Sequence, residues 1–307
     1  MRKKILIIGS LNVDIVIEME HMPVIGETVL GTGLRYVPGG KGANQACAAA
    51  RLGGDVKMLG CIGRDEFGEK QKKSLSDNGV DIRDLKVSSM FGTGTASIYV
   101  DKDGNNSIVV VPAANQECDI EYLQKNDMSI QECDYVILQM EIPYDSIRYA
   151  IKRAKELGKI VILNPAPAPE CISDEMLKDV DYITPNETEL MRLSGKTGID
   201  MDGFIEGAHK LLLRGVKNVL VTLGEKGAML VNKEKAFVYP TRKVVPVDTT
   251  AAGDCFNGAF AVALSEGKDL GKAVCFANAA SSVAVTRSGA QTSLPEREEA
   301  DEAFMTM

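Results

Sequence analysis

The sequence predicts an α/β protein whose mostly parallel central sheet is flanked by helices and accompanied by a small separate β-sheet. From residue 135 onward, short apolar runs alternate with amphipathic stretches of helical length, which is typical of right-handed β-α-β units. The run 5–8 is continuously apolar and ends at a glycine, as expected for a central strand that is buried on both faces. Segments 13–37 and 93–112 alternate loosely and carry turn signals, so they predict a layer of exposed strands outside the main sheet.

Local signals define the elements in chain order. Apolar runs bounded by Gly, Pro, Asn or Asp predict strands, and runs of good helix formers with a period near 3.6 predict helices. Gly79 ends one helix as a cap, and the Lys-Asp-Gly-Asn sequence at 102–105 is a strong hairpin signal. The predicted strands are 5–9, 56–63, 93–101, 107–111, 135–139, 160–163, 182–183, 219–222 and 228–231. The predicted helices are 43–52, 66–78, 145–157, 187–193, 204–213 and 255–265.

Length and composition are those of an ordinary globular chain. The 307 residues are 45% hydrophobic and 25% charged, and this length allows one large α/β domain or two smaller ones. A formal net charge of −8 argues against a nucleic-acid partner, because nucleic-acid phosphates require a basic face. Seven scattered cysteines without a C-x-x-C pair predict reduced thiols in a cytoplasmic protein. No apolar run reaches membrane-spanning length, so we expect no membrane partner.

The stretch 247–254, Val-Asp-Thr-Thr-Ala-Ala-Gly-Asp, leads into a predicted helix and suits anion binding. The backbone amides of Ala252, Gly253 and Asp254 would lie in the first turn without intrahelical acceptors, at the positive end of the helix dipole. The Asp254 carboxylate would share this pocket. The pattern indicates phosphoryl transfer with Asp254 as the base, although an acidic residue that caps a buried helix explains the same stretch equally well.

Polar residues follow several predicted strands, at the edge where parallel sheets bind ligands. Asn12 and Asp14 follow the first strand and Glu141 follows a later one, although Asn and Asp also favour simple turns. Asn186 and Glu189 have the spacing of a capping box or of a metal-water ligand set, and the cap is favoured by local chemistry.

Two glycine-rich segments could approach a ligand closely. In the first, Pro-Gly-Gly-Lys-Gly-Ala-Asn-Gln-Ala at 38–46, Lys41 and Asn44 supply directed hydrogen bonds, but a tight turn also requires glycines. The second, 222–227, fits either a phosphorylated ligand or a hairpin turn. Neither a Walker A loop nor a G-x-G-x-x-G fingerprint is present.

The segments Gly-Gly-Lys-Gly-Ala-Asn-Gln-Ala at 39–46 and Asp-Thr-Thr-Ala-Ala-Gly-Asp at 248–254 together resemble the signatures of the ribokinase-like (PfkB) carbohydrate kinase family. The resemblance extends over nearly the whole chain, through 9–14, 164–167, 184–189, 222–224 and 284–291. It implies a single Rossmann-like α/β domain over 1–307 with a β lid formed by about 13–37 and 93–112, through which two copies form a homodimer. It also implies ATP-dependent phosphorylation of D-ribose at the 5-hydroxyl.

The resemblance also implies a role for individual residues. Asp254 would accept the proton of the attacking hydroxyl, while the Ala252 and Gly253 amides form the anion hole. The sugar would contact Asn12, Asp14, Gly40, Lys41, Asn44, Glu141 and Asp254. The nucleotide site would comprise Asn186, Thr222, Gly224, Gly227, Gly253 and Asn278. A K⁺ ion would be held by oxygens of Asp248, Thr250, Ala284, Arg287, Gly289 and Ser293, and Mg²⁺ would be held through water by Asn186 and Glu189.

Two other functions fit the same residues. One is a related kinase for deoxyribose, another pentose or hexose, or a nucleoside; the other is a catalytically silent sugar-binding regulator on the same fold. Asn12 and Asp14 favour a hydroxyl-rich sugar, because a missing hydroxyl would leave buried polar groups unpaired. Asp254 and the intact anion-binding stretch favour an enzyme.

Overall fold

A computed structural model describes residues 3–198 and 200–307 of the chain. The strands are β1 (Lys4–Ile8), β2 (Asn12–Met19), β3 (Gly31–Gly39), β4 (Asp55–Leu59), β5 (Cys61–Gly63), β6 (Lys86–Ser88), β7 (Gly94–Val100), β8 (Asn106–Val111), β9 (Tyr135–Leu138), β10 (Ile160–Leu163), β11 (Tyr182–Ile183), β12 (Asn218–Thr222), β13 (Ala228–Asn232) and β14 (Ala236–Tyr239). The helices are α1 (Lys41–Arg51), α2 (Glu66–Asp77), α3 (Ile120–Lys125), α4 (Asp127–Glu132), α5 (Tyr144–Glu156), α6 (Asp174–Leu177), α7 (Glu187–Ser194), α8 (Met201–Leu213), α9 (Ala252–Ser265), α10 (Leu270–Ala284) and α11 (Arg297–Met305). From β9 to β12, helices separate the successive strands, as the sequence predicts for the chain from residue 135 onward.

The main sheet has the strand order β14-β13-β12-β11-β10-β9-β1-β4. The six strands β4, β1, β9, β10, β11 and β12 run parallel, and β13 and β14 are antiparallel additions at one edge. Strand β1 is buried on both faces: Ile5 and Ile7 belong to one apolar cluster and Leu6 and Ile8 to the other. This explains its continuous apolar sequence. The predicted α/β fold with a mostly parallel central sheet is confirmed.

A second sheet has the order β3-β2-β7-β8 and lies outside the main one. It takes up most of segments 13–37 and 93–112, for which the sequence predicts exposed strands. Strands β7 and β8 form the predicted antiparallel hairpin. Strand β2 begins four residues after β1 ends, so the polar residues that follow β1 are also the first residues of this sheet.

The prediction of one strand over 56–63 is wrong, because the chain leaves the main sheet at Gly60. Strand β4 ends before this glycine, and β5 pairs instead with β6 in a two-stranded sheet. The Gly60 N–H donates to the Tyr122 hydroxyl at 3.1 Å, and its carbonyl accepts from the Lys86 N–H at 3.0 Å. These two bonds take the place of the ladder bonds that a continuous strand would make.

Helices α1 and α9 pack closely and bring their first turns to the same end of the main sheet. The closest approach is at Gly258, where a Cβ atom would lie 2.8 Å from the Ala48 Cβ and from the Ala49 amide nitrogen. Only a residue without a side chain allows this separation. The segments 38–46 and 247–254 are therefore neighbours in space.

Candidate active site at the first turns of α1 and α9

The first turn of α9 presents backbone amides to open space. Ala251 precedes it with a left-handed φ of 59°, and Cys255 is the first residue to donate into the helix, to the Ala251 carbonyl at 2.8 Å. Within residues 3–198 and 200–307, no backbone or side-chain acceptor pairs with the amides of Gly253 and Asp254. A Cβ atom on Gly253 would meet nothing within 4 Å. This turn can therefore receive an anion at its positive end.

The Ala252 amide differs from its two neighbours. Its N–H donates to the Thr249 carbonyl at 3.2 Å. Because Thr249 lies before the helix, the Ala252 amide has no intrahelical acceptor, as predicted, but it is not open in this conformation. The bond closes the tight turn at 249–252 that reverses the chain into the helix. An anion that used the Ala252 amide would have to compete with this contact.

The Asp254 carboxylate is 6% exposed and lies between the two helices. Its Oδ2 accepts from Asn44 Nδ2 at 2.9 Å and its Oδ1 accepts from Gln45 Nε2 at 3.0 Å. Burial raises the pKa of Asp254, while Lys41 and the two amide donors oppose this effect. The carboxylate is thus desolvated and has a raised proton affinity, as suits a proton acceptor beside a bound ligand.

A chain of buried amides and hydroxyls links the ends of β10 and β11 to this turn. Gln45 Nε2 also donates to Asn164 Oδ1 at 3.2 Å, and Asn164 Nδ2 donates to the Thr184 carbonyl at 3.1 Å. The Thr184 hydroxyl donates to Asn257 Oδ1 at 2.7 Å, and Asn257 Nδ2 donates to the Gly253 carbonyl at 2.8 Å. None of the four side chains, those of Gln45, Asn164, Thr184 and Asn257, was predicted as a site residue, because each lies in a separate element and only the fold joins them.

Lys41 lies among carboxylates at the start of α1. Its backbone N–H donates to Glu141 Oε2 at 3.1 Å, and that oxygen also accepts from the Ser10 hydroxyl at 2.5 Å. Burial lowers the pKa of the Lys41 ammonium, but Asp254 and Glu141 outweigh this effect and raise it. A charged ammonium is therefore held between two acidic side chains.

Asp14 lies on β2, partly buried and facing the same group of charges. Burial, Glu141 and Asp254 raise its pKa to about 7, and Lys41 counteracts them. Its carboxylate lies against Gly39, where a Cβ atom would be 2.4 Å from Oδ2. The fold thus gathers three acidic residues predicted as site residues around a single lysine.

The side-chain amide of Asn12 is held by Asn115, which the sequence analysis did not identify. Asn115 is 1% exposed; it accepts from the Leu11 N–H at 2.9 Å and donates to the Leu11 carbonyl at 3.2 Å and to Asn12 Oδ1 at 2.8 Å. The Asn12 oxygen is thereby occupied, so its NH₂ group is the part available to a ligand. A small cavity of about 230 Å³ is lined by both asparagines and by Glu141.

A large cavity of about 1090 Å³ lies beside the α9 turn. Lys41 and Asp254 line this cavity. So do all the residues that the family resemblance assigned to the nucleotide: Asn186, Thr222, Gly224, Gly227, Gly253 and Asn278. The Asn278 amide is already engaged, because it donates to the carbonyls of Tyr239 and Pro240. Arg242 and Lys243 also line the cavity and were not predicted.

Asn186 and Glu189 form a capping box at the start of α7, which was the alternative favoured by local chemistry. Asn186 Oδ1 accepts from the Glu189 N–H at 2.8 Å, and Glu189 Oε2 accepts from the Asn186 N–H at 2.9 Å. Burial raises the pKa of Glu189 overall, although the hydrogen bond from Asn186 and the charge of Lys41 oppose this effect. Among the described residues, no cluster of three or more His, Cys, Asp or Glu side chains could hold a metal ion directly. Carboxylate and amide oxygens are nevertheless the donors that Mg²⁺ accepts through its water shell.

The residues predicted for K⁺ come from two segments that Asp248 joins. Its Oδ1 accepts from the Thr250 N–H and its Oδ2 from the Gly289 N–H, both at 2.9 Å. Burial alone would raise the pKa of Asp248, yet these hydrogen bonds lower it overall. The Ala284 carbonyl accepts from the Arg287 N–H at 3.1 Å, and the buried Ser293 hydroxyl donates to the Ala290 carbonyl. The segments thus supply oxygen donors of the type that hard cations require.

Comparisons with known proteins agree with the resemblance seen in the motifs. The profile of the family described as "pfkB family carbohydrate kinase" matches residues 2–297. A ribokinase of Haemophilus influenzae is 40% identical over 299 residues, covering 97% of each chain. The crystal structure of a Thermotoga maritima ribokinase is 43% identical with a TM-score of 0.90, covering 99% of this chain and 100% of that one. The structure of an Arabidopsis thaliana ribokinase complexed with ribose and ATP is 36% identical with a TM-score of 0.93, covering 99% of both chains.

Proposed function

Since this chain belongs to the pfkB family of carbohydrate kinases, we propose that it transfers the γ-phosphoryl group of ATP to the 5-hydroxyl of D-ribose. The observation that carries the proposal is the buried carboxylate of Asp254, which lies beside the open amides of α9 on the wall of the large cavity. The similarity to an Arabidopsis ribokinase complexed with ribose and ATP supports the choice of both substrates.

In the proposed reaction, the 5-hydroxyl oxygen attacks the γ-phosphorus, Asp254 accepts the hydroxyl proton, and ADP leaves. The Gly253 amide and the positive end of α9 stabilise the negative charge on the transferring group. The Ala252 amide joins them if its bond to Thr249 opens. Phosphoryl transfer requires mainly positioning and charge stabilisation, and the rigid first turns of two packed helices provide both.

The sugar is proposed to lie between Asp254 and the group formed by Asn12, Asp14 and Glu141, with Gly40, Lys41 and Asn44 beside it. The amide of Asn12 would donate, and the carboxylates would accept, so that each hydroxyl finds a complementary partner. A sugar that lacks one hydroxyl would leave a buried group unpaired. The same geometry would bind deoxyribose or another pentose or hexose less tightly than ribose.

The nucleotide and the cations are assigned to the other side of Asp254. ATP would lie in the large cavity against Asn186, Thr222, Gly224, Gly227 and Asn278. Bound Mg²⁺ would neutralise phosphate charge, and Asn186 and Glu189 would hold its water shell. Asp248 and Thr250, with oxygens of Ala284, Arg287, Gly289 and Ser293, would hold a K⁺ ion near the α9 turn.

The second sheet is proposed as a lid over the sugar and as the contact between two copies of the chain. Strand β8 is its edge strand, and the four apolar residues at 108–111 are all exposed. An exposed apolar edge strand favours pairing with another chain.

No helix in the described part of the chain has the length and apolar character needed to cross a membrane. We also propose a cytoplasmic location, because all seven cysteines are free thiols.

The direct test is ATP consumption with ribose, deoxyribose, fructose or adenosine, each with and without K⁺. We expect ribose-dependent turnover that rises with K⁺. Preferential turnover of another sugar would overturn the choice of ribose but leave Asp254 and the α9 turn in place. Sugar binding without turnover would support a silent regulator, and turnover that ignores K⁺ would refute the cation site.

A further inference from the structure

The two carboxylate oxygens of Asp254 are held by two consecutive residues of α1. Asn44, which is proposed to contact the sugar, donates to Oδ2, and Gln45 donates to Oδ1. Gln45 is fully buried and lines neither cavity. It is therefore close enough to orient the carboxylate, yet has no direct access to a ligand.

Gln139 holds the other end of the Gln45 amide. Gln139, directly after β9, is fully buried and donates from Nε2 to Gln45 Oε1 at 2.7 Å. Because a carboxylate only accepts, the Gln45 NH₂ group faces Asp254, and its oxygen is left to accept from Gln139. Gly9 makes room for this arrangement, since a Cβ atom there would lie 2.0 Å from Gln139 Oε1.

We propose that Gln45, whose amide oxygen is held by Gln139, is a positioning residue that holds Asp254 in the rotamer from which it accepts the sugar proton. The inference rests on the proposed role of Asp254 as the base. A carboxylate turns easily about its last torsion, and two amide donors from a neighbouring helix remove this freedom. Correct orientation of the base matters because small misplacements of reacting groups cost large factors in rate.

The same contact also affects the proton affinity of Asp254. Hydrogen bonds from Gln45 and Asn44 lower the pKa of this carboxyl against the effect of burial. Loss of the Gln45 donor would raise the pKa, so the acid limb of the rate profile would move to higher pH. The titratable and charged groups that face Asp254 from the packed elements are Lys41, Asp14, Glu141, Glu189 and Cys255, and none of them changes in the variants below.

The test compares Gln45→Met and Gln139→Met with Gln131→Met, which alters an exposed glutamine of α4. Methionine keeps the side-chain length and removes the amide. For Gln45→Met we expect kcat to fall by about 10- to 100-fold, as for a misplaced catalytic group, with KM for the sugar changed less than threefold. The acid limb should move to higher pH. Gln139→Met should move it in the same direction by less, and Gln131→Met should match the wild type.

A purely structural role for Gln45 would lower the melting temperature and the active fraction, but would leave the acid limb in place. An unchanged acid limb, with kcat within twofold of wild type, overturns the inference. If Gln45→Met does not fold, the same criterion of the acid limb is applied to Gln139→Met. If the wild type phosphorylates no sugar, the proposed function fails instead. A ¹³C-NMR titration of the Asp254 carboxyl, assigned with Asp254→Asn, still decides whether Gln45 lowers its pKa.

Discussion

The side-chain amide of Asn44 donates to Asp254 Oδ2 at 2.9 Å across a sequence separation of 210 residues. The bond joins the first turns of α1 and α9, and so unites the two segments by which the sequence resembles a carbohydrate kinase. It also places a residue proposed to touch the sugar beside the proposed base. The consequences for activity, stability and assembly can be measured separately.

The substitution Asp254→Asn removes the proposed base and keeps the size of the side chain. We expect a loss of about 2–4 kcal/mol in transition-state stabilisation, roughly 30- to 1000-fold in kcat. The protein should stay folded, because the variant leaves one amide donor of Asn44 or Gln45 without its acceptor but no longer buries an ionisable carboxylate. Steady-state kinetics and thermal unfolding check both statements. Turnover close to wild type would remove Asp254 from the mechanism.

Two glycines should respond to alanine in opposite ways. A Cβ atom on Gly253 meets nothing within 4 Å, whereas one on Gly42 would lie 2.6 Å from the Ser10 amide nitrogen. We expect Gly253→Ala to raise stability by about 0.5–1 kcal/mol, since alanine suits a helix better, and to raise KM for ATP by narrowing the anion site. Gly42→Ala should lower stability by about 1–3 kcal/mol. Denaturant unfolding and ATP kinetics of both variants provide the comparison; a destabilised Gly253→Ala would contradict it.

The stability of the protein should depend on Asp14 in a defined pH range. Its folded-state pKa of about 7 lies above the ordinary value of 3.8. Its contribution to stability is therefore fully present below pH 4 and is lost as the pH rises through 7. We expect Asp14→Asn to exceed the wild type in free energy of unfolding at pH 8.5, by up to about 4 kcal/mol. The advantage should shrink as the pH approaches 4.

Denaturant titrations of wild type and Asp14→Asn at several pH values measure this difference. Because the two proteins share all other titratable groups, their difference reports Asp14 together with its coupling to Lys41, Glu141 and Asp254. The exposed Asp103 at the tip of the β7–β8 hairpin offers a control, and Asp103→Asn should track the wild type throughout. A constant difference between Asp14→Asn and wild type across the pH range would show that the Asp14 pKa is not raised.

The proposed dimer contact can be tested on the edge strand of the lid. Ile108 is 55% exposed on β8, so a charge there should leave the fold intact but disfavour burial against a second copy. We expect light scattering to report a dimer for the wild type and a monomer for Ile108→Glu. Met128→Glu, at another exposed apolar residue on α4, should remain dimeric. A monomeric wild type would remove the lid contact from the proposal.

The main sheet could be predicted well from the sequence because its strands can be recognised from their own residues alone. A strand such as β1 is buried on both faces, so its apolar character does not depend on its partners. The strand over 56–63 was predicted wrongly for the opposite reason. The chain leaves the sheet at Gly60 because the Gly60 backbone bonds to Tyr122 and Lys86, and these distant partners produce no pattern in the strand sequence. Sequence reasoning likewise passed over Gln139 and Asn115, because each acts on a residue that is distant along the chain.

The sequence by itself determined the fold class, the two glycine-rich segments and the identity of the carboxylate at the start of α9. Local propensity and hydrophobic periodicity are sufficient for these, because they depend on neighbours within a few residues. Only the tertiary structure decided that Asn44 and Gln45 hold the two oxygens of Asp254, and that Ala252 is engaged with Thr249. Amide orientation and proton affinity arise from groups that long-range packing brings within hydrogen-bond distance.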